Sequence, residues 1–285
     1  NLLLTSSTPL KSIANLYICT RGAYEYDFFN MCFLNNMLGI VLLSLYKGYI
    51  PVINVRYADL NIWDMFLKQP FSNYLDQSSY LAVENENIQS FFSPSFKSIY
   101  NKNDLKLWCK IYDNFVKLND ETSTYIEREC QEVFRDGRRV MGVLCRGTDY
   151  VTLRPLGHPI QPTLEQVFSL LKVKMKELRM DYIYLATEEK KIEERFKQEF
   201  SGKILINKRS YYDNYYENKC TYIREVNFER ENDSYYKGLE YFSSIVILSR
   251  CQALIGGNTG GSCAAMFMNN MKYEYTHLFD LGCYR

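Results

Sequence analysis

Histidine is scarce in this sequence, and charge of one sign is not in excess. His158 and His277 are the only histidines, and no two cysteines have the spacing Cys-x-x-Cys, which disfavours a structural zinc site. The 34 lysines and arginines nearly balance the 33 acidic residues, so the net charge of +1 gives no field that attracts nucleic acid. The sequence therefore indicates neither a zinc protein nor a nucleic-acid-binding protein.

Apolar runs long enough to cross a membrane are also lacking. The longest, residues 31–46, is interrupted by Asn35 and Asn36 and falls short of the roughly 20 apolar residues that a bilayer requires. We expect a buried helix there and no transmembrane segment. The 9 cysteines are irregularly spaced and several lie in apolar runs, which predicts a reducing, cytoplasmic compartment and leaves contact with a membrane face open.

The composition is that of an ordered globular protein, with 47% hydrophobic and 24% charged residues, and 285 residues suffice for two domains. Residues 60–118 mix polar and aromatic types and predict irregular structure with short helices. The turn Asp136-Gly137 marks the predicted boundary between a domain at 1–137 and a domain at 138–285. The elements predicted before that turn are strands at 16–20 and 49–55 and helices at 28–46 and 122–134.

Beyond the turn, short apolar runs alternate with helical patterns, which predicts an α/β domain with a doubly wound parallel sheet. The predicted strands are 140–144, 182–186, 203–206, 253–255 and 276–281. The predicted helices are 163–178, 188–200, 240–249 and 261–268. Sheets of this kind bind ligands at the carboxyl ends of their strands, so chemistry is expected just after Leu144, Ala186 and Ile255.

Arg146 follows the first of these strands, where residues 145–150 read Cys-Arg-Gly-Thr-Asp-Tyr. A guanidinium offers a fixed fork of donors to a diphosphate, and Gly147 lets the backbone come close. The alternative is that Arg146 pairs with Asp149 to hold a turn. His158 lies in the constrained turn Gly-His-Pro-Ile, where it is either a site residue or a cap for the next helix.

The next two strand ends carry polar and small residues. Thr187 is expected to cap a helix, and the alternative is that Thr187 or Glu188 contacts the base or ribose of a nucleotide. Residues 255–262 read Ile-Gly-Gly-Asn-Thr-Gly-Gly-Ser and open a helix, so their backbone amides favour an anion. The loop has neither the P-loop nor the Gly-x-Gly-x-x-Gly pattern, which leaves a nucleotide diphosphate as the expected ligand and a tight turn as the alternative. The residues predicted to hold it are Asn258, Thr259, Gly260, Gly261 and Ser262.

In this order, the strand ends resemble the α-1,6-fucosyltransferases and the nodulation fucosyltransferases. Their first motif, His-x-Arg-Arg-x-Asp, stands here as Leu-Cys-Arg-Gly-Thr-Asp at residues 144–149, and their His-Pro-Ile turn stands at 158–160. Their Tyr-Leu-Ala-Thr-Asp-Asp stretch is Tyr-Leu-Ala-Thr-Glu-Glu at 184–189, and their last motif, from Leu-Ser to Ser, spans 248–262. The likeness is strong over residues 139–268 and weaker towards the N terminus.

The resemblance implies a GT-B-like fold of two Rossmann-like domains and an inverting transfer of fucose from GDP-fucose to a surface glycan or polysaccharide. It also implies a diphosphate held by Arg146 and residues 259–262, no metal cofactor, and an acceptor on the side of the N-terminal domain. The absence of Asp-x-Asp from the sequence agrees with metal independence, because arginine and backbone dipoles then carry the charge of the leaving group. The alternatives are another sugar from a GDP or UDP donor, or a non-catalytic nucleotide-sugar-binding protein.

Three positions depart from the family pattern. Leu144 stands where the motif has its first His, and Gly147 stands where it has its second Arg. Arg154 stands where the α-1,6 enzymes have an acidic residue shortly after the motif. A general base must therefore be supplied by another residue. The candidates are Asp149, His158 and Glu165, of which we expect Asp149.

Overall fold

The structure, a computed structural model, describes residues 15–19, 29–57, 60–72, 81–85, 93–213 and 223–285. In these ranges the chain forms ten β-strands and eight α-helices. The strands are β1 Asn15–Cys19, β2 Ile50–Ile53, β3 Arg56–Tyr57, β4 Leu60–Asn61, β5 Leu81–Asn85, β6 Val140–Leu144, β7 Tyr182–Ala186, β8 Ile204–Leu205, β9 Ala253–Gly257 and β10 Tyr275–Phe279. The helices are α1 Met31–Tyr46, α2 Lys102–Phe115, α3 Asp120–Val133, α4 Thr148–Leu153, α5 Leu164–Glu177, α6 Lys190–Glu199, α7 Asp233–Arg250 and α8 Gly260–Asn269.

A parallel sheet with the strand order β10-β9-β6-β7-β8 forms the C-terminal half. Every residue of β6 and β9 is buried, because α7 and α8 cover one face of the sheet and α5 and α6 cover the other. The chain runs outwards from β6 through β7 to β8 and then returns to β9 on the other side of β6. This is the predicted doubly wound sheet. The chain leaves β6 and β9 towards opposite sides of the sheet, and sheets of this kind have a ligand crevice at that point, beside the carboxyl ends of the strands.

The N-terminal half contains a second parallel sheet, with the order β2-β1-β5, in which α1 connects β1 to β2. Helix α1 begins after Asn30, whose Oδ1 accepts a hydrogen bond of 2.9 Å from the Phe33 amide. The core side of α1 is fully buried, as predicted, and no helix in the described ranges is long and apolar enough to cross a membrane. An α/β unit is thus present in each half, whereas the division into domains 1–137 and 138–285 stays a prediction.

One hydrophobic core joins the two halves. The Phe29 ring, just before α1, packs 4.8 Å from that of Phe242 in α7, and Tyr112 of α2 packs 5.3 Å from Phe267 of α8. Burial of aromatic side chains is among the largest favourable contributions to packing. The N-terminal helices are therefore anchored on the same two helices, α7 and α8, that flank the crevice.

Several elements differ from those predicted. Residues 60–118 contain β5 and the 14-residue helix α2, so the prediction of irregular structure with short helices is wrong there. Only a narrow stripe of α2 faces the core, including Trp108 and Ile111, and the rest is polar, which gives the helix the composition of a loop. Helix α4 was not predicted, and α7 begins at Asp233 rather than at residue 240 because its first turns are polar.

The close approach of β6 and β9 depends on Gly256. A Cβ at this position would lie 2.4 Å from the backbone oxygen of Leu144, its partner on β6. We expect Gly256→Ala to lower the free energy of unfolding by about 1–3 kcal/mol, since neither backbone can give way without disturbing the sheet. Urea denaturation followed by circular dichroism measures this.

Gly260→Ala is the matched control, because its added methyl would meet only Met31 Cβ, at an ordinary 3.5 Å. That variant should stay within about 0.5 kcal/mol of the parent. Equal stability of the two variants would contradict the tight contact between β6 and β9.

Candidate functional site

Arg146 lies at the carboxyl end of β6, beside the crevice between β6 and β9. Its Nη1 is 3.2 Å from Oε1 of Glu188, which follows β7, and its guanidinium lies 5.2 Å from the centroid of the Tyr150 ring. The Arg146 side chain is 18% exposed and that of Glu188 is 8% exposed. A charge at this depth is costly without its partner, so the pair holds the guanidinium in one position.

The Glu188 carboxylate also holds the loop that follows β6. Its Oε1 accepts hydrogen bonds from the Gly147 amide at 3.0 Å and from Thr148 Oγ1 at 3.1 Å, and the neighbouring Glu189 accepts one from the Thr148 amide. A Cβ at Gly147 would collide with the Glu189 carboxylate. The Gly147 backbone therefore lies against a side chain of the protein, and its predicted close approach to a diphosphate stays a prediction.

Thr187 does not cap α6, so that prediction is wrong. Helix α6 begins at Lys190, and the amides of Lys190 and Lys191 donate to the carboxylate of Asp213, 2.9 Å and 3.4 Å away. The Thr187 hydroxyl accepts from the Glu189 amide at 3.3 Å, and its residue is buried. A carboxylate more than twenty residues along the chain supplies the cap, which sequence spacing does not reveal.

The loop after β9 presents backbone amides at the start of α8. Thr259 and Ser262 form a reciprocal capping box, in which the Ser262 amide donates to Thr259 Oγ1 at 3.2 Å and the Thr259 amide donates to Ser262 Oγ at 2.8 Å. Their side chains are therefore engaged with the helix itself. The amides of Gly260 and Gly261 occupy the first turn, where no intrahelical acceptor exists and the helix dipole favours an anion.

Asn258 precedes this turn and faces the N-terminal half of the chain. Its Nδ2 donates to the Phe96 carbonyl at 3.1 Å and lies 3.4 Å from the Tyr100 hydroxyl. The residue is buried. Asn258 thus links the β9 loop to the segment before α2 and positions that loop.

The three candidates for a general base lie in different places. His158 Nδ1 is 3.1 Å from the hydroxyl of Tyr150, the ring that Arg146 contacts, and α5 is capped by Thr163 instead of by His158. Glu165 lies on the surface of α5, in an ion pair with a residue of α6. Asp149 belongs to α4, and its side chain lies outside the described part of the structure. Of the two described candidates, His158 is the one that adjoins Arg146.

Tyr241 is a further residue of the crevice, and no sequence motif indicated it. It lies in the middle of α7, and its hydroxyl is 3.3 Å from where a Cβ of Gly261 would be. Burial raises the pKa of the Tyr241 phenol, and the positive charge of Arg146 only partly offsets this effect. Arg146, the first turn of α8 and the Tyr241 hydroxyl therefore surround the same crevice.

A separate cavity of about 540 Å³ lies at the opposite edge of the sheet, where α2, α7 and α8 end. Among the residues that line it are Asp113, Lys117, Arg250 and Lys272, of which Arg250 is engaged by Glu127 at 2.6 Å. No group of three His, Cys, Asp or Glu side chains suited to a metal ion occurs within the described ranges. Charged side chains and the start of a helix meet at the β6–β9 crevice, which makes that crevice the stronger candidate for a ligand site.

Comparison with solved structures relates this fold to three groups of fucosyltransferases. NodZ α-1,6-fucosyltransferase soaked with GDP-fucose aligns with a TM-score of 0.53 at 12% identity, covering 95% of this chain and 96% of that chain. POFUT1 in complex with GDP gives 0.55 at 8% identity, with 93% and 99% covered. FUT1 of Arabidopsis thaliana in complex with GDP gives 0.51 at 8% identity, with 95% and 71% covered. No family model and no curated protein matches the sequence. The likeness confirms an α/β fold with a parallel sheet, similar to that of fucosyltransferases, whereas the arrangement as two GT-B-like domains stays a prediction.

The role of Glu188 is testable by its removal. Glu188→Ala removes the carboxylate that pairs with the buried Arg146 charge and accepts from the Gly147 amide and Thr148 Oγ1, so we expect the free energy of unfolding to fall by about 3–5 kcal/mol. Urea denaturation measures the change.

Glu165→Ala serves as the control, because Glu165 is 73% exposed and its partner Arg195 lies 3.6 Å away on the surface. Its loss should cost less than about 1 kcal/mol. Similar losses in the two variants would show that Glu188 does not hold the β6 loop.

Proposed function

We propose that this chain is a glycosyltransferase that transfers fucose from GDP-fucose to a hydroxyl of a glycan. The observation that carries the proposal is the Arg146–Glu188 pair beside the start of α8, at the switch point of a doubly wound sheet. The fold is shared with proteins whose structures contain GDP or GDP-fucose, which supports the choice of donor.

In this proposal the crevice holds the diphosphate of the donor. The Arg146 guanidinium donates to phosphate oxygens, and the amides of Gly260 and Gly261 meet the same charge at the positive end of α8. These groups are fixed before the donor arrives, because Glu188 holds Arg146 and the capping box holds α8. Preorganised donors of this kind stabilise the charge that develops on a leaving group, without a metal cofactor.

The proposed transfer is a single displacement with inversion. The acceptor oxygen forms a bond to the anomeric carbon, and the bond from that carbon to the diphosphate breaks, with the electron pair leaving on GDP. The acceptor proton passes to a general base, for which Asp149 and His158 are the proposed residues. Both follow Arg146 closely in the chain, and His158 adjoins it through Tyr150.

The N-terminal half is proposed to line the acceptor side of the cleft as a domain of its own, from residue 1 to 137, and residues 138–285 are proposed to bind the donor. In support, Gly260 of α8 lies beside Met31 at the start of α1. The N-terminal half therefore borders the crevice. We further propose a reducing compartment, because seven cysteines of the described ranges, from Cys32 to Cys283, are free thiols.

Nucleotide binding tests the proposal directly. Isothermal titration calorimetry with GDP and GDP-fucose, with and without EDTA, should give binding that EDTA does not change. Arg146→Ala should weaken GDP binding about 10- to 100-fold, because it removes charge-assisted hydrogen bonds.

Arg195→Ala, which removes an exposed arginine from α6, is the matched control and should bind GDP as the parent does. Tighter binding of UDP than of GDP would favour a different donor. Binding of GDP-fucose without transfer or hydrolysis would favour a non-catalytic binding protein, and no binding by folded protein would refute the donor site.

A further inference from the structure

Tyr241 combines a partly buried ring with a hydroxyl at the candidate donor site. The ring packs against the main hydrophobic core, among residues of α7 and α8. The hydroxyl lies beside Gly261, 3.3 Å from where a Cβ of that residue would be, with Ile245 and Leu144 around the same point. The phenol thus crosses from the core to the first turn of α8.

Three other tyrosines of the described ranges use their hydroxyls within the fold. Tyr112 donates to Asn35 Oδ1, Tyr184 donates to Asn207 Oδ1 at 2.7 Å, and Tyr273 donates to the Leu248 carbonyl at 2.8 Å. In the same ranges no hydrogen bond joins the Tyr241 hydroxyl to another group. Tyr241 is only partly buried and its hydroxyl is not a buried polar group without a partner, so this donor is accessible to an acceptor from outside the chain.

The surroundings of the hydroxyl favour an anionic acceptor. Of the charges that act on the phenol, the positive one of Arg146 has the largest effect, and the negative one of Glu188 has a smaller effect. Burial raises the pKa of Tyr241, so the phenol keeps its proton at neutral pH and can only donate to an anion. The amide of Gly261 in the first turn of α8 is a second donor at the same place.

We propose that the Tyr241 hydroxyl donates a hydrogen bond to a phosphate oxygen of a nucleoside diphosphate whose other oxygens are held by Arg146 and the first turn of α8. This inference rests on the proposed function and adds a positioning residue to it. As a neutral donor, Tyr241 strengthens the hold on the diphosphate without a second buried cation, whose desolvation would be costly.

The test compares Tyr241→Phe with Tyr273→Phe, which also removes one buried hydroxyl but at the other end of the sheet. Phenylalanine keeps the ring and its packing, and circular dichroism verifies that each variant is folded. Calorimetry is carried out with GDP, which carries the diphosphate, and with guanosine, which lacks it. We expect Tyr241→Phe to weaken GDP binding about 5- to 10-fold and to leave guanosine binding unchanged. Tyr273→Phe should bind both ligands as the parent protein does.

A steady-state readout separates positioning from a structural role. If the bond strengthens as charge develops on GDP, Tyr241→Phe lowers kcat for donor turnover more than it changes KM. Parental GDP affinity in Tyr241→Phe, or equal losses for GDP and guanosine, would overturn the inference while the proposed function stands. Failure of the parent protein to bind GDP would overturn the proposed function, and the inference with it.

Discussion

A carboxylate and a guanidinium, both largely removed from solvent, meet where the central strand of the larger sheet ends. Glu188 accepts from Arg146, from the Gly147 amide and from Thr148 Oγ1, so one carboxylate from the end of β7 determines the shape of the loop after β6. Without it the arginine would lose a buried partner of opposite charge, and the loop would lose an acceptor that two of its donors share. The position of the arginine, and hence the chemistry of the crevice, depends on this contact.

The topology makes the contact possible and places a helix start opposite it. Strands β6 and β7 are parallel neighbours with Leu144 paired to Ala186, so the residues that follow them emerge at the same edge. Strand β9 lies on the other side of β6 and ends in the capped turn of α8. Fixed positive groups therefore border the crevice from two sides, and Tyr241 borders it from α7. Because α1 and α2 pack on α7 and α8, the N-terminal half is coupled to this arrangement.

The sequence predicts what depends on local pattern. Strands β6 and β7 have the predicted bounds, because continuous apolar runs are typical of strands buried on both faces. Partners distant in the chain were not predictable in the same way. The sequence offered Asp149, three residues from Arg146, as one possible partner, which stays untested, and it did not indicate Glu188 on the next strand end as another. Likewise α6 takes its cap from Asp213, and α2 was missed because its single apolar stripe is diluted by polar residues.

The central claim is that the crevice between β6 and β9 receives a diphosphate. A crystal structure of the protein soaked with GDP tests it most directly. We expect phosphate oxygens about 2.7–3.2 Å from the Arg146 guanidinium and from the amides of Gly260 and Gly261. GDP bound instead in the cavity at the opposite edge of the sheet, or with its base against Arg146, would contradict the account.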